Sequence, residues 1–134
     1  MTICYGQTET APVSFQSWTD TPFEAKVSSV GLVHPNVEAK VVDKDGNIVP
    51  TGVQGELAVK GYLVMSKYWN DQEKTDEVID KEGWCYSGDL ATIDDEGYCR
   101  ITGRIKDMVI RGGENIYPLE IEEFFIKHDS VKDI

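Results

Sequence analysis

No stretch of the chain reads G-x-x-x-x-G-K-[ST] or G-x-G-x-x-G, so neither of the usual glycine-rich phosphate cradles is present. Cysteine and histidine are scarce. Cys4, Cys85 and Cys99 show no C-x-x-C spacing, and His34 and His128 lie far apart, so no zinc pattern forms. Three reduced, packed thiols are the expectation, with Cys85 and Cys99 able to face each other across a hairpin. No apolar run reaches about 18 residues, the length that suggests a membrane-crossing helix. No signal-type segment is expected ahead of the first strand. A soluble, cytoplasmic chain with no membrane span is expected. Basic residues are also few: 13 Lys and Arg stand against 24 Asp and Glu, a net charge of −11. Such a chain repels nucleic-acid phosphates, which excludes nucleic acid as a general partner. It repels ATP and CoA as well. Any ligand of that kind needs local donors: backbone N–H groups, an arginine, a hydroxyl and Mg²⁺.

What is present is patterned. With 134 residues and 40% hydrophobic content, the chain is of ordinary size for a globular domain. Residues 1 to 12 read as a buried strand, Thr2 to Tyr5, ended by Gly6 and followed by a loop. Residues 13 to 36 read as loop with short helical turns. From 37 to 61 hydrophobic and polar residues alternate, broken by the turns Lys44-Asp45-Gly46-Asn47 and Gly52 to Gly55. Short antiparallel strands joined by such turns predict a curled sheet or small barrel. A short helix follows, capped by Asn70 or Asp71, with Glu73 in capping-box spacing from Asn70. The aromatics before it, Tyr62, Tyr68 and Trp69, suit either an acyl pocket or ordinary core packing, the commoner use. Residues 84 to 104 read as a hairpin turned at Asp94-Asp95-Glu96-Gly97. Gly112-Gly113 marks another turn. Residues 117 to 128 form the best helix: Pro118 suits its first turn, and Ile121, Phe124, Phe125 and His128 share one face.

Two stretches carry chemistry. Tyr86-Ser87-Gly88-Asp89 reads as a strand ending in a turn that presents one carboxylate. An Asp so placed can accept two hydrogen bonds from a vicinal diol, the contact a ribose needs. Arg104 follows with a fork of donors for the same sugar or its phosphate. Near the start, Thr8 and Glu9 place a hydroxyl beside a carboxylate. That pair suits a magnesium phosphate, the hydroxyl donating to a phosphoryl oxygen and the carboxylate holding the metal. Glu56, in Gly55-Glu56-Leu57, reads as scaffold.

These strings together resemble the adenylate-forming, AMP-binding superfamily. The resemblance rests on Tyr5-Gly6-Gln7-Thr8-Glu9-Thr10, on Gly55-Glu56-Leu57 with Gly61 and Tyr68-Trp69, and on Tyr86-Ser87-Gly88-Asp89 through Gly103-Arg104-Ile105-Lys106-Asp107 to Arg111-Gly112-Gly113-Glu114-Asn115. It covers essentially the whole chain and is narrowest to the medium- and long-chain fatty acyl-CoA synthetases. It implies an α+β fold, with residues 1–104 as the end of a large AMP-binding domain containing a β-rich, barrel-like subdomain. Residues 105–134 would be a hinge and the start of a small C-terminal domain. By the same resemblance the loop Tyr5, Gly6, Gln7, Thr8 and Glu9 contacts the AMP portion. Tyr5 lies on the adenine, Thr8 meets the phosphate and Glu9 serves the metal. Asp89 takes the ribose hydroxyls and Arg104 the ribose or phosphate. Lys106 is the hinge, and Gly112, Gly113 and Glu114 face the CoA thiol route.

The implied reaction is ATP-dependent acyl-CoA ligation, with Thr8, Glu9 and Arg104 as its catalytic residues. ATP, a carboxylic acid and CoA are the substrates and Mg²⁺ the metal. The superfamily's phosphate loop and its C-terminal lysine have no counterpart in this sequence, so an incomplete fragment, inactive alone, is expected. Its partners would be the missing parts of the parent chain. Unpaired strand edges also predict self-association, a homo-oligomer included. An aryl-CoA ligase or a peptide-synthetase adenylation domain is the alternative within the superfamily. A non-catalytic nucleotide-binding or interaction fragment is the alternative outside it.

Overall fold

The structure, a computed structural model, describes residues 1–134. Its centre is a four-stranded antiparallel sheet in the order β4-β5-β6-β7, built from Val37–Val42, Gly55–Gly61, Cys85–Ile93 and Cys99–Arg104. Alternation explains its two faces. Val37 and Val41 of β4 lie with Leu57 and Val59 of β5, Cys85 and Ala91 of β6 and Cys99 of β7 in one buried cluster. The intervening residues Glu38, Lys40 and Lys60 point away from it. The sheet stays open, so the curl expected of these strands does not close into a barrel. The α+β expectation holds.

The turns form where their residues favour them. Asp43 Oδ1 accepts from the backbone N–H of both Asp45 and Asn47, each at 2.9 Å, which folds the chain back between β4 and Ile48. Asp94 Oδ1 does the same for Glu96 and Tyr98 in the β6–β7 turn.

A second sheet, β1-β2-β3, joins Cys4–Tyr5, Phe15–Gln16 and Leu32–Val33. It adds Phe15 to the core. Residues 13 to 36 are mainly loop, as expected, with β2, β3 and one short helix, α1, Phe23–Ser28, set in them. Three expectations fail here. The first strand is two residues long, and Cys4 is exposed rather than packed. Cys85 and Cys99 are buried, and burial pushes their thiols up to about 11 and about 12. They do not face each other, because Cys99 stands opposite Ile93 and Cys85 opposite Val59.

Helix α2, Gln72–Val78, is capped by Asp71, whose side chain accepts from the Lys74 N–H at 3.0 Å. Asn70 does not cap; it sits at φ 54° just before the helix. After β7 a 3-10 turn, Ile105–Asp107, leads to a separate hairpin of β8, Val109–Arg111, and β9, Glu114–Ile116. Gly112 and Gly113 turn that hairpin at φ 65° and 87°. Helix α3, Pro118–Phe125, is shorter than its sequence pattern. His128 lies beyond it, with Nδ1 accepting from the Ser130 N–H. Arg100 of β7 pairs with Glu123 of α3 at 3.3 Å, both side chains about half exposed.

Much apolar surface remains open. Phe23 and Phe124 are more than 70% exposed. So are Tyr62 and Trp69, at 72% and 85%, which removes both from the core packing expected of them.

Candidate functional site

The site is built on an interruption in β6. Register pairs Glu56 with Leu90 and then Ala58 with Tyr86, so Ser87, Gly88 and Asp89 stand opposite the single residue Leu57. This is a bulge, and it re-aims the side chain it carries. Asp89 is therefore inside a strand, not at the end of one as its sequence suggested. Gly88 makes the bulge possible, since its φ of 72° is in the left-handed region that a β-carbon disfavours. Side chains replace the lost ladder bonds. Gly88 N–H donates to Glu56 Oε1 at 3.0 Å, and Asp89 N–H to Ser87 Oγ at 3.1 Å. Ser87 Oγ in turn donates to the Leu57 carbonyl at 2.8 Å.

Asp89 is 4% exposed, and three donors converge on it. Tyr5 hydroxyl donates to Oδ2 at 2.6 Å, and Gln7 Nε2 donates to the same oxygen at 2.8 Å. Arg104 Nε donates to Oδ1 at 2.9 Å from the directly opposite position on β7. Burial, with the Asp89 hydrogen bond second, pushes the Tyr5 phenol well above its ordinary value. A carboxylate offers about four acceptor sites, so one remains free on Oδ1. Arg104 is the donor able to leave, because its side chain is 63% exposed.

The loop after β1 is fixed as tightly. Gly6 lies so close to the next segment that a β-carbon there would stand 1.7 Å from the Pro12 carbonyl oxygen. Gln7 N–H donates to Thr10 Oγ1 at 2.9 Å, and buried Thr10 returns its own N–H to the Gln7 carbonyl at 3.0 Å. Gln7 Nε2 also reaches the Ser87 carbonyl at 2.9 Å. The Gln7 side chain is thus spent inward on the bulge rather than turned to a ligand. Thr8 is exposed. Glu9 has its carbonyl held by the Met65 N–H at 2.8 Å, and its Oε1 accepts from the Tyr68 hydroxyl at 2.6 Å. That bond holds the Glu9 carboxyl below its ordinary value and pushes the Tyr68 phenol up to about 12. The Lys74 ammonium lies 5.3 Å from the centre of the Tyr68 ring.

Two cavities meet at this point. The larger, about 580 Å³, is lined by Thr8, Glu9, Lys74 and Lys106 among others. The smaller, about 350 Å³, is lined by Tyr5, Ile101, Tyr117 and Glu122 among others. Asp89 and Arg104 border both. The structure therefore brings together Tyr5, Gly6, Gln7, Thr8, Glu9, Asp89, Arg104 and Lys106. It does not bring Gly112, Gly113 or Glu114 to either cavity; these are exposed at the tip of the β8–β9 hairpin. Sequence reasoning missed Tyr68 as a partner of Glu9. Nothing local signals a contact between residues 59 positions apart.

No group of three or more His, Cys, Asp or Glu side chains could hold a metal ion. Among the carboxylates bordering the larger cavity, Glu9 has one oxygen bonded to the Tyr68 hydroxyl. No helix is long and apolar enough to cross a membrane.

Comparison with known proteins gives the arrangement a context. The medium-chain acyl-CoA ligase ACSF2 of Danio rerio is 52% identical over 98% of the chain, which covers 22% of that protein. The putative acyl-CoA synthetase YngI of Bacillus subtilis is 49% identical over the whole chain, which covers 25% of it. Among solved structures, ATP-bound MatB from Rhodopseudomonas palustris superposes with a TM-score of 0.90 and 38% identity, over 98% of this chain and 26% of that one. The chain thus spans about a quarter of the length of the relatives it matches. The AMP-binding enzyme family matches residues 1–69, which carry the Tyr5–Glu9 loop and the Glu56 strand, and the chain belongs to that family.

Proposed function

We propose that the full-length protein carrying this chain is an ATP-dependent acyl-CoA ligase acting on a fatty acid. The observation that carries the reading is the position of Asp89 and Arg104 in the wall shared by two cavities, with Tyr5 lining one and Thr8 and Glu9 lining the other. A nucleotide laid across that wall puts its base beside Tyr5, its ribose on Asp89 and its phosphates beside Thr8, Glu9 and Lys106. Arg104 then releases Oδ1 to the sugar and turns to the phosphate. Similar proteins such as the Danio rerio acyl-CoA ligase and the Bacillus subtilis acyl-CoA synthetase support the same choice.

In the first half-reaction a carboxylate oxygen attacks the α-phosphorus and the bond to pyrophosphate breaks, leaving an acyl-adenylate. In the second, the CoA sulfur attacks the acyl carbon, the bond to AMP breaks, and the thiol proton passes to solvent. Thr8 donates to a phosphoryl oxygen, and Arg104 balances the charge that builds on the phosphate. A Mg²⁺ held by Glu9 and the phosphates would neutralise the leaving pyrophosphate. Lys106 is the pivot of the residues after Arg104, with 1–104 and 105–134 belonging to two domains. Movement about it would bring Gly112, Gly113 and Glu114 from their remote hairpin toward the thiol. The open apolar surface of α1 and α3 fits burial against the rest of the parent protein. The two buried, unbridged thiols support a reducing compartment such as the cytoplasm.

The test is exchange of labelled pyrophosphate into ATP by the full-length protein, with and without fatty acids, followed by detection of the CoA thioester. Exchange that depends on the acid, together with thioester formation, supports the reading. Absence of both with every acid tried would overturn it. The 134 residues alone are expected to give no exchange.

A further inference from the structure

We propose that Glu56 is a positioning residue: by holding the Gly88 N–H it fixes the β6 bulge that aims Asp89 at the ribose. The proposal rests on the nucleotide reading of Asp89 given above. It begins with backbone accounting. A bulge of three residues against one leaves N–H groups without ladder partners, and an unpaired buried N–H is costly. Here the Gly88 N–H goes to Glu56 Oε1 at 3.0 Å and the Asp89 N–H to Ser87 Oγ at 3.1 Å. Ser87 is itself part of the bulge. Glu56 holds the Gly88 end of the bulge from the neighbouring strand, while the Leu57 carbonyl and the Gln7 amide hold its Ser87 end. The Glu56 backbone is fixed in register with Leu90 on one side and Val42 on the other. Its reach across to Gly88 is therefore measured from a rigid base.

The environment argues against a charge role for this carboxylate. Burial raises the Glu56 carboxyl above its ordinary value, nearby Asp89 raises it further, and the Gly88 N–H opposes both. Among the other charged groups bordering the same cleft are Glu9, Glu77, Lys74, Arg104 and Lys106. None of the three cations pairs with Glu56, since Arg104 is committed to Asp89 and no salt bridge involves either lysine. The useful property of Glu56 is an acceptor oxygen at the end of a side chain of this length. Lengthening or shortening that reach would let Gly88 relax and swing the Asp89 side chain with it.

Reach and charge separate cleanly. Glu56→Gln keeps the length and an acceptor oxygen and loses the charge. Glu56→Asp keeps the charge and loses one methylene of reach. The readout is the preference of the full-length protein for ATP over 2′-deoxyATP in kcat/KM, with Asp89→Ala as reference. A general loss of stability does not move this ratio, because both nucleotides meet the same folded fraction. Loss of a ribose hydroxyl contact is expected to make the wild-type preference at least about tenfold. Asp89→Ala should abolish it, E56D should bring it close to unity, and E56Q should retain it. If E56D does not fold, Glu56→Met, which keeps the length and removes the acceptor, carries the same expectation. Retention of the preference by E56D or its loss in E56Q, while Asp89→Ala abolishes it, overturns the positioning role alone. Retention by Asp89→Ala overturns the ribose reading and this proposal with it.

Discussion

Asp89 and Arg104 face each other in register on adjacent strands, and the bond between them is lopsided: the Asp89 side chain is 5% exposed and the Arg104 side chain 63%. Removing either end therefore has different consequences. Arg104→Ala takes away an exposed partner and leaves Asp89 with Tyr5 and Gln7. Its effect on stability should stay within about 0.5 kcal/mol. Asp89→Ala strands the buried Tyr5 hydroxyl and the Gln7 amide, at a cost of about 1–3 kcal/mol. Both should raise the KM for ATP, but only Asp89→Ala should lower Tm measurably. Thermal melts of the two full-length variants, run beside their ATP kinetics, check this. Equal melting points would mean that Asp89 is not the structural hub its contacts describe.

Tyr68 and Glu9 form the second linked pair. The phenol holds the Glu9 carboxyl below its ordinary value, so Glu9 stays ionised further into acid than an isolated glutamate. Tyr68→Phe removes that bond and lets the Glu9 pKa rise. If ionised Glu9 serves the phosphates and their metal, the acid limb of the pyrophosphate-exchange profile should then move to higher pH while the plateau near neutral changes little. Rates measured across the acid limb for both proteins decide the matter. Coincident limbs would remove Tyr68 from any role through Glu9.

Local pattern made the strands legible. Alternation from Val37 to Val42 and from Gly55 to Gly61, with Asp43, Asp94 and glycine at the turns, marks the strands, although burial departs from it where Val41-Val42 and Leu57-Ala58-Val59 are buried in succession. The Tyr5–Glu9 loop, Asp89 and Arg104 were legible as motifs. The contacts that arm them were not. The bonds from Gln7 to Asp89, Glu56 to Gly88 and Tyr68 to Glu9 span 82, 32 and 59 positions. Such bonds follow from how sheets pack, which no local periodicity encodes. The same gap explains the aromatics. Tyr62 and Trp69 look like core residues by type, yet no other part of the chain packs over them and they stand exposed. Asp89 was misplaced at a strand end because a bulge and a turn present the same Ser-Gly-Asp string.

Gly6 offers a steric test of the loop. An alanine there would set its β-carbon 1.7 Å from the Pro12 carbonyl oxygen and within 3 Å of the Val13 Cα. Both obstacles are backbone, so the loop must move as a unit. Overpacking of this kind costs about 1–3 kcal/mol or more. Because Tyr5 and Gln7 flank Gly6 and both reach Asp89, the shift should also weaken ATP binding. Gly6→Ala is expected to lower Tm and reduce ATP affinity together, by thermal melt and calorimetric titration of the full-length protein. Wild-type values for both would show that the loop does not approach Pro12 as described.

Glu56 gives a prediction about stability that needs no catalysis. Its pKa in the folded protein lies above its ordinary value because burial disfavours the charge. A carboxyl with a raised folded pKa binds its proton more tightly folded than unfolded. The associated stability is complete below the unfolded pKa and is lost as pH rises through the folded one. Above its folded pKa, wild-type Glu56 is thus ionised against the preference of its site. Glu56→Gln removes that penalty while keeping an oxygen for Gly88. Its Tm should equal or exceed the wild-type value at pH 7, and the gain should shrink as pH falls through the carboxylate range. A set of melts from neutral to mildly acidic pH measures the trend. A Tm for E56Q clearly below wild type at pH 7, recovering in acid, would mean that the charge itself holds the bulge. The oxygen alone would then be insufficient to keep Asp89 in place.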